Sequence, residues 1–528
     1  QMKLGDIAKV KRTYTDPQTN GMWINGEPAI SLMLSAEDDA NVSEVGKAVM
    51  ARLNELKPTL PAGFEVQKVF FQPDKVDEAN NSFAVNLIES VIIVIIALMF
   101  AMGIRPGLII GAGLIFTIAA SFPILLSLGT TMQRISLGAF IVAMGMLVDN
   151  SIVIIDGILV DKGRGLPPKK YLFNICKKTA FPLLGATIIA SVTFIEVYLA
   201  KNSASEYAHD LFLVIAVSLL VSWVLALRQT PMFAKFFLPA RLKVNADDTP
   251  QAPLNTPVNR KMKKAILFMV DNKKTAFACA IAVLLTAAWG FRFVKNLFFP
   301  DCNYNQFVVE YTLPPETGAE KVKTDLLDIT NQLLKNKEIH RVIALQGGSP
   351  GRYCLLRPMS NGGENYGELL IDCEDYNHMC KQIPIVRKLI RESHPEAYVR
   401  TRKYNFSIET SHTVEAQFTG PDPAVLRDLA AQAEAIFRAN KGVDSLSVST
   451  NWDLPGKAIF AVYNQQNGRS TGIGRADVGN ALQAVGNGLT GGVLYDNDRI
   501  VPIYLKIRNA DGSRINDINN IPVWPTLP

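Results

Sequence analysis

The chain has 528 residues, which is too long for one compact domain and enough for several hydrophobic cores. Apolar residues make up 48% of it and charged residues only 19%, a charged share that is low for a soluble protein. The net charge of +6 does not indicate nucleic-acid binding, because the basic residues cluster beside apolar runs and form no stripe with interleaved aromatic residues.

Six apolar stretches are each long enough to cross a membrane, for which about 20 residues are needed. The loops 159–178 and 232–274 are rich in Lys and Arg, whereas the loops 129–134 and 201–207 hold one basic residue each. Because basic loops stay in the cytoplasm, the segments before the first span and after the last are predicted to lie on the opposite, non-cytoplasmic side. The predicted spans are 84–104, 106–128, 135–159, 179–200, 208–230 and 274–294.

The third span carries an ionisable side chain in its middle, Asp149. A carboxylate at this depth is costly, and a membrane protein that keeps one usually needs it to carry a proton, bind an ion or pair with a buried base. The alternative interpretation is that Asp149 has a structural role and forms polar contacts between helices. Gly138 and Gly145 share the helical face of Asp149 and would let another helix approach closely, so the carboxylate is predicted to point into a packed bundle.

Outside the spans, strand–helix–strand units recur at 27–66, 306–345, 413–449 and 458–507. Strands with a period of two, helices with a period of 3.6 and Pro/Gly turns predict small α+β sandwiches of the split-βαβ type. The predicted strands are 29–34, 64–69, 307–313, 340–345, 413–419 and 445–449, and the predicted helices are 43–56, 319–336, 424–440 and 475–485.

A glycine-rich segment, 347–367, separates two predicted strands. It is not a phosphate loop, because it lacks the G-x-x-x-x-G-K-[ST] pattern and a following helix. A flexible gating loop and an ordinary surface loop both fit the sequence.

No catalytic motif and no metal-ligand spacing of Cys and His is present. Solvated or capping positions are predicted for His340, His378, His394 and His412. A disulfide among Cys354, Cys373 and Cys380 stays open, since it depends on whether their compartment is oxidising.

The run Gly145-Met-Leu-Val-Asp149-Asn150-Ser-Ile-Val-Ile-Ile-Asp156 resembles the fourth-helix signature of the resistance-nodulation-division (RND) superfamily, in its hydrophobe/amphiphile efflux permeases. In that signature adjacent aspartates form a proton relay. The resemblance continues at Leu4-Gly-Asp-Ile-Ala-Lys-Val10, which is similar to the strand after the docking subdomain. It also continues at Phe298-Phe-Pro-Asp301 and Val309-Glu-Tyr-Thr-Leu-Pro-Pro315, which are similar to the exit from the seventh helix.

The resemblance implies a membrane protein with an α-helical transmembrane bundle and periplasmic α+β split-βαβ (ferredoxin-like) porter and docking subdomains. The six spans would be the second to seventh helices of the family. The implied domains are a porter segment at 1–80, the transmembrane helices at 81–300, a porter subdomain at 301–400, a docking-like subdomain at 401–510 and a return segment at 511–528.

The implied function is proton-driven efflux of hydrophobic or amphiphilic compounds across the bacterial inner membrane. The chain would be the permease subunit of a tripartite pump, a homotrimer that engages a periplasmic adaptor and an outer-membrane channel. It would be a secondary transporter and not an enzyme, with no cofactor beyond the proton gradient. The implied site residues are Asp149, Asn150 and Asp156 for the proton relay, Gly138 and Gly145 for helix packing, and Gly347, Gly348 and Tyr353 along the substrate pathway.

Two departures from the family pattern matter. Asn150 stands where the commoner pattern has a second Asp, and an amide carries no proton, so Asp149 titrates alone or Asp156 takes part in a divergent scheme. The family's first helix and relay Lys fall outside this sequence, so we expect a part of a longer permease that does not transport by itself. The alternative function is an RND-like protein that binds or moves a lipid or a partner, with Asp149 structural; an enzyme ranks third.

Overall fold

The computed structural model describes residues 2–14, 17–37, 40–130, 133–163, 166–201, 203–238, 257–294, 302–351, 353–354, 357, 359–360, 362–405, 414–443, 447–452, 459–515 and 517–525. The chain divides into two compact units. A sheet unit comprises residues 1–34 and 296–528, and a helical unit comprises residues 35–295.

In chain order, the α-helices of the described residues are α1 (Leu4–Ile7), α2 (Val42–Leu56), α3 (Gln72–Met102), α4 (Ile104–Ser127), α5 (Arg134–Leu147), α6 (Asp149–Gly163), α7 (Pro168–Val192), α8 (Ile195–Leu199), α9 (Ser203–Phe237), α10 (Pro257–Asp271), α11 (Lys273–Phe291), α12 (Ala319–Leu333), α13 (Tyr376–Ser393), α14 (Pro423–Ala439), α15 (Gln465–Thr471) and α16 (Arg475–Val485). The strands are β1 (Gly21–Ile24), β2 (Glu27–Pro28), β3 (Gln306–Thr312), β4 (Ile339–Gln346), β5 (Tyr366–Cys373), β6 (Tyr398–Arg402), β7 (Leu489–Asp496) and β8 (Arg499–Leu505).

The helical unit holds six helical spans that are long and apolar enough to cross a membrane, which confirms that part of the sequence prediction. They agree with the predicted spans to within about a dozen residues at each end, and α5 and α6 together form the third. The observed spans are Gln72–Met102, Ile104–Ser127, Ile135–Gly163, Pro168–Val192, Ala208–Phe237 and Lys273–Phe291.

The core of the helical unit lies where α4, α5, α6 and α9 meet, with side chains such as Ile110, Phe140 and Ile154 fully enclosed. The tight turn between α3 and α4 has Gly103 at φ +93°, a conformation that glycine adopts without steric cost. Next to it, a Cβ added to Gly107 would lie 2.6 Å from the Met99 backbone nitrogen, so the two helices approach at a distance that only glycine allows.

The sheet unit contains a six-stranded antiparallel sheet with the order β2-β1-β4-β5-β3-β6. Its strands β3 to β6 and the helices between them follow one another along the chain as β-α-β-β-α-β. Strand β5 is buried along almost its whole length because strands flank it on both sides and α12 and α13 contact it. A separate hairpin is formed by β7 and β8.

The core of this sheet is apolar, with Phe307, Val342 and Ile371 fully buried between strands and helices. Local sequence sets the helix starts. Asp375 caps α13 by accepting a hydrogen bond from the His378 backbone N–H at 2.7 Å, which holds the pKa of its carboxyl below the usual value. Pro423 occupies the first position of α14, where its missing N–H has no consequence.

Several sequence predictions are wrong. Residues 29–34 and 64–69 are not strands, and the sheet instead takes its first strands from the hairpin at 21–28, whose turn has Asn25 and Gly26 at positive φ. The segment expected to be a strand, 4–10, begins with the short helix α1. The described residues of 413–419 and 445–449 form no strand, while Thr413, Ser445 and Leu446 lie outside the described residues.

His394 occupies a capping position, which is one of the two alternatives predicted for it, and it is buried, at 7% exposed. It ends α13 and lies 3.7 Å from an Asp325 carboxylate oxygen through its Nε2. Tyr311, 0% exposed, donates a hydrogen bond to the same carboxylate at 2.7 Å, and burial raises the pKa of this phenol. His340 is exposed and His412 lies outside the described residues.

Candidate functional site

The third span is interrupted immediately before Asp149. Helix α5 ends at Leu147 and α6 begins at Asp149, and Val148 between them keeps a helical backbone with φ −79° and ψ −23°, so the span predicted at 135–159 is one helix with an interruption at this residue. The Ser222 hydroxyl of α9 donates to the Leu147 carbonyl at 2.6 Å. A side chain that bonds a helical carbonyl disturbs the backbone ladder at that point, which explains why the break falls at this residue.

The face that carries Asp149 is open. Asp149 is exposed, and so are Val142 at 55% and Val153 at 41% on the same side of the span. No described heavy atom lies within 4 Å of a Cβ built at Gly138 or Gly145, outside the glycine's own neighbourhood in the helix. The expectation that Asp149 points into a packed bundle is therefore wrong for the six described spans, which leave this side of the third one uncovered.

Asp149 and Asn150 differ sharply in their surroundings, because successive helical residues point about 100° apart. Asn150 is 5% exposed and its amide nitrogen lies 3.5 Å from the hydroxyl oxygens of Thr187 and Ser222. The Asp149 carboxylate has no hydrogen-bond or ion-pair partner among the described residues. Asp156 is exposed as well. The structure thus separates the predicted relay residues into a buried amide and carboxylates on the open side.

Asn150 belongs to a group of buried polar side chains that the sequence analysis did not single out. Each hydroxyl beside it already gives its one proton to a backbone carbonyl, Thr187 to Leu183 at 2.8 Å and Ser222 to Leu147. The sequence pattern that could have revealed this group is pairs of Ser or Thr residues spaced four apart within apolar spans. Other buried members of the group are Ser151, Ser191, Ser218 and Thr230.

The sheet unit contains a cleft of about 800 Å³ between the β1–β2 hairpin region and the end of β4. Gly347 and Gly348 lie in its wall, and Tyr353 is not among the residues that line it. Gly347 has φ +85°, and a Cβ there would lie 2.2 Å from the Thr19 carbonyl oxygen, so a side chain does not fit. The lining residues are Gln18, Asn20, Gly21, Met22, Trp23, Pro28, Ala29, Ile30, Ser31, Lys323, Leu345, Gln346, Gly347, Gly348, Ser349, Pro350 and Gly351.

Tyr353 lies beside the cleft wall in a buried hydrogen-bond chain. Its hydroxyl is 2.6 Å from that of Tyr404, which in turn donates to the side-chain oxygen of Gln306. Burial raises the pKa of both phenols. No cysteine of the described residues forms a disulfide, and no group of three or more His, Cys, Asp and Glu in the described part could hold a metal ion.

Comparison with known proteins agrees with this architecture of apolar helices and an antiparallel sheet. The AcrB/AcrD/AcrF family matches residues 1–526. The multidrug resistance protein MdtC of Enterobacter sp. (strain 638) is 20% identical over 356 residues, which is 66% of this chain and 34% of that protein. Similar values hold for MdtC of Klebsiella pneumoniae (strain 342), 20% over 357 residues, and of Escherichia coli O6:H1, 20% over 350 residues.

The matched part thus spans about a third of the length of these relatives. The family match, in contrast, covers nearly every residue of the chain, including the third span and the six-stranded sheet. The chain belongs to the AcrB/AcrD/AcrF family of RND multidrug efflux permeases.

Proposed function

We propose that the chain is part of an inner-membrane permease that exports hydrophobic or amphiphilic compounds in exchange for protons. The observation that carries this proposal is the setting of Asp149, an unpartnered carboxylate halfway along an apolar span and directly after a helix break. A carboxylate kept for structure would be expected to bond neighbouring helices, as Asn150 does. A carboxylate kept for proton exchange needs an accessible side and a backbone that can rearrange.

In this scheme Asp149 takes up and releases the proton. Asn150 carries none and holds α6 against α7 and α9 through Thr187 and Ser222. Asp156, two turns further along α6 on the open side, is a second carboxylate available to the same pathway. The glycine face of Gly138 and Gly145 would receive a further helix, whose approach depends on the charge of Asp149.

The β-α-β-β-α-β segment is proposed to be a split-βαβ porter subdomain in the periplasm, and the cleft beside Gly347 and Gly348 to be part of the substrate pathway. Its lining combines Trp23, Met22 and Ile30 with amide and hydroxyl groups, a mixture that suits amphiphilic compounds. The relatives are named as multidrug resistance proteins. By the same analogy, assembly as a trimer with an adaptor and an outer-membrane channel is proposed.

The test is Asp149→Asn in the full-length protein, with Asn150→Ala as the matched neighbouring variant. We expect Asp149→Asn to insert normally and to lose proton-dependent efflux of a fluorescent amphiphile from energised cells, while Asn150→Ala keeps most of it. Efflux that survives in Asp149→Asn and still collapses on addition of a protonophore would refute the role of this carboxylate.

A further inference from the structure

Arg357, one of the described residues of the glycine-rich segment 347–367, forms a fully buried ion pair with the sheet. The Arg357 guanidinium contacts the carboxylate of Glu368, which lies in strand β5, and the two side chains are 0% and 1% exposed. Charged side chains are almost never buried this completely unless they are paired. This pair therefore belongs to the interior of the sheet unit and is not a surface contact.

The second carboxylate oxygen of Glu368 and the face of the Arg357 guanidinium make further contacts with residues of the same segment. The second Glu368 oxygen accepts hydrogen bonds from the Ser349 hydroxyl at 2.5 Å and from the Tyr366 hydroxyl at 3.3 Å. The guanidinium lies over the Tyr353 ring, 5.1 Å from its centre. A buried pair held in this way is costly to break, since removing one partner leaves an uncompensated charge in the interior.

These contacts reach the wall of the cleft. Ser349 and Pro350 both line it, and Ser349 is held from two sides. Its hydroxyl donates to Glu368 and accepts from the backbone N–H of Ser360 at 3.0 Å. Arg357 also points a nitrogen at the Pro350 carbonyl, 3.4 Å away. Ser349 in the cleft wall thus contacts both Ser360, further along the segment, and Glu368 of β5.

We propose that Arg357 and Glu368 are positioning residues that hold Ser349 in place and thereby shape the cleft wall 347–351 around it. The proposal deepens the proposed function, because it assumes that the cleft takes the exported compound. A wall residue held by a buried pair presents its contacts to a bound compound in a defined position, so it contributes to selection by fit.

The labelling rates of two native cysteines test the role of this ion pair and need no transport measurement. Cys354 belongs to the fastened segment and is 8% exposed, whereas Cys373 lies in β5 at 1% exposed. Burial raises the pKa of the Cys373 thiol to about 12, with a smaller contribution from Asp372, so it stays an unreactive thiol at neutral pH. Labelling of Cys354 therefore measures release of the segment, and labelling of Cys373 measures unfolding of the sheet.

The first experiment labels the full chain in detergent with a maleimide and follows each cysteine peptide by mass spectrometry. In Glu368→Gln we expect Cys354 to react at least about tenfold faster than in the wild type, because the segment opens locally, while Cys373 stays unlabelled. Glu364→Gln removes an exposed charge from the same segment and should leave both rates unchanged. Equal Cys354 rates in Glu368→Gln and the wild type would overturn the proposal.

The second experiment separates positioning from folding with Ser349→Ala, which keeps the ion pair and removes only its link to the wall. We expect the concentration for half-maximal efflux of an amphiphilic dye to rise about threefold or more, with the maximal rate little changed, since fit to the wall is lost but proton coupling is not. An unchanged half-maximal concentration would overturn the positioning role. Loss of efflux in the wild type itself would instead contradict the proposed function and leave the labelling result standing.

Discussion

Asn150→Asp, which restores the commoner family pattern, is predicted to destabilise the helical unit. The Asn150 amide donates to the hydroxyl oxygens of Thr187 and Ser222. Each of these hydroxyls donates its own proton to a backbone carbonyl, Thr187 to Leu183 and Ser222 to Leu147. An ionised carboxylate only accepts hydrogen bonds. The carboxylate introduced by Asn150→Asp would therefore have no donor at this site unless the two hydroxyls gave up their hydrogen bonds to the backbone carbonyls.

The magnitude follows from two contributions. Loss of the two amide contacts costs about 1 kcal/mol, since one polar pair between membrane helices contributes roughly 0.6 kcal/mol. An uncompensated charge at a position 5% exposed adds about 3–5 kcal/mol. Asn150→Ala suffers only the first of these losses, so the two variants should differ by roughly 3 kcal/mol or more.

The assay is reversible unfolding in mixed micelles with increasing denaturing detergent, followed by circular dichroism. Trp223 provides a local fluorescence probe, because its indole N–H donates to the Ala180 carbonyl at 2.9 Å within the same group of helices. An Asn150→Asp variant as stable as Asn150→Ala at neutral pH would refute the reasoning, and would mean that a donor reaches this site from elsewhere.

Gly107→Ala should destabilise the α3–α4 hairpin by about 1–3 kcal/mol, because the added methyl group would collide with the backbone of Met99. The control is Gly290→Ala, which has open space around it and should be neutral or slightly stabilising in the same unfolding assay. Tyr311→Phe should cost roughly 2 kcal/mol in thermal unfolding of the sheet unit, since a hydrogen bond to the buried Asp325 carboxylate is lost; an unchanged Tm would show that this bond contributes nothing net. Gly138→Ala should leave the stability of this chain unchanged or higher but lower efflux by the full-length protein, and undiminished efflux would argue against a helix packing on that face.

The sequence by itself determined the elements whose signal is local. The six spans follow from length and apolar composition, and helices such as α14 and α16 begin where the sequence places Asp422-Pro423 and Arg475. Strands β3 and β4 lie within a residue of their predicted bounds because both are rich in β-branched and other apolar residues and are flanked by turns. The position of Asp149 within an apolar run was likewise a property of the sequence alone.

Only the tertiary structure decided which side of each element is covered. Helical periodicity places Asp149 and Gly145 on one face but does not say whether another helix packs there, and the described helices enclose Asn150 instead. The buried pair of Arg357 and Glu368 joins residues on either side of a glycine-rich turn, and no local pattern marks either charge as interior. Burial is a property of contacts between segments distant in the chain, which periodicity within one segment does not contain.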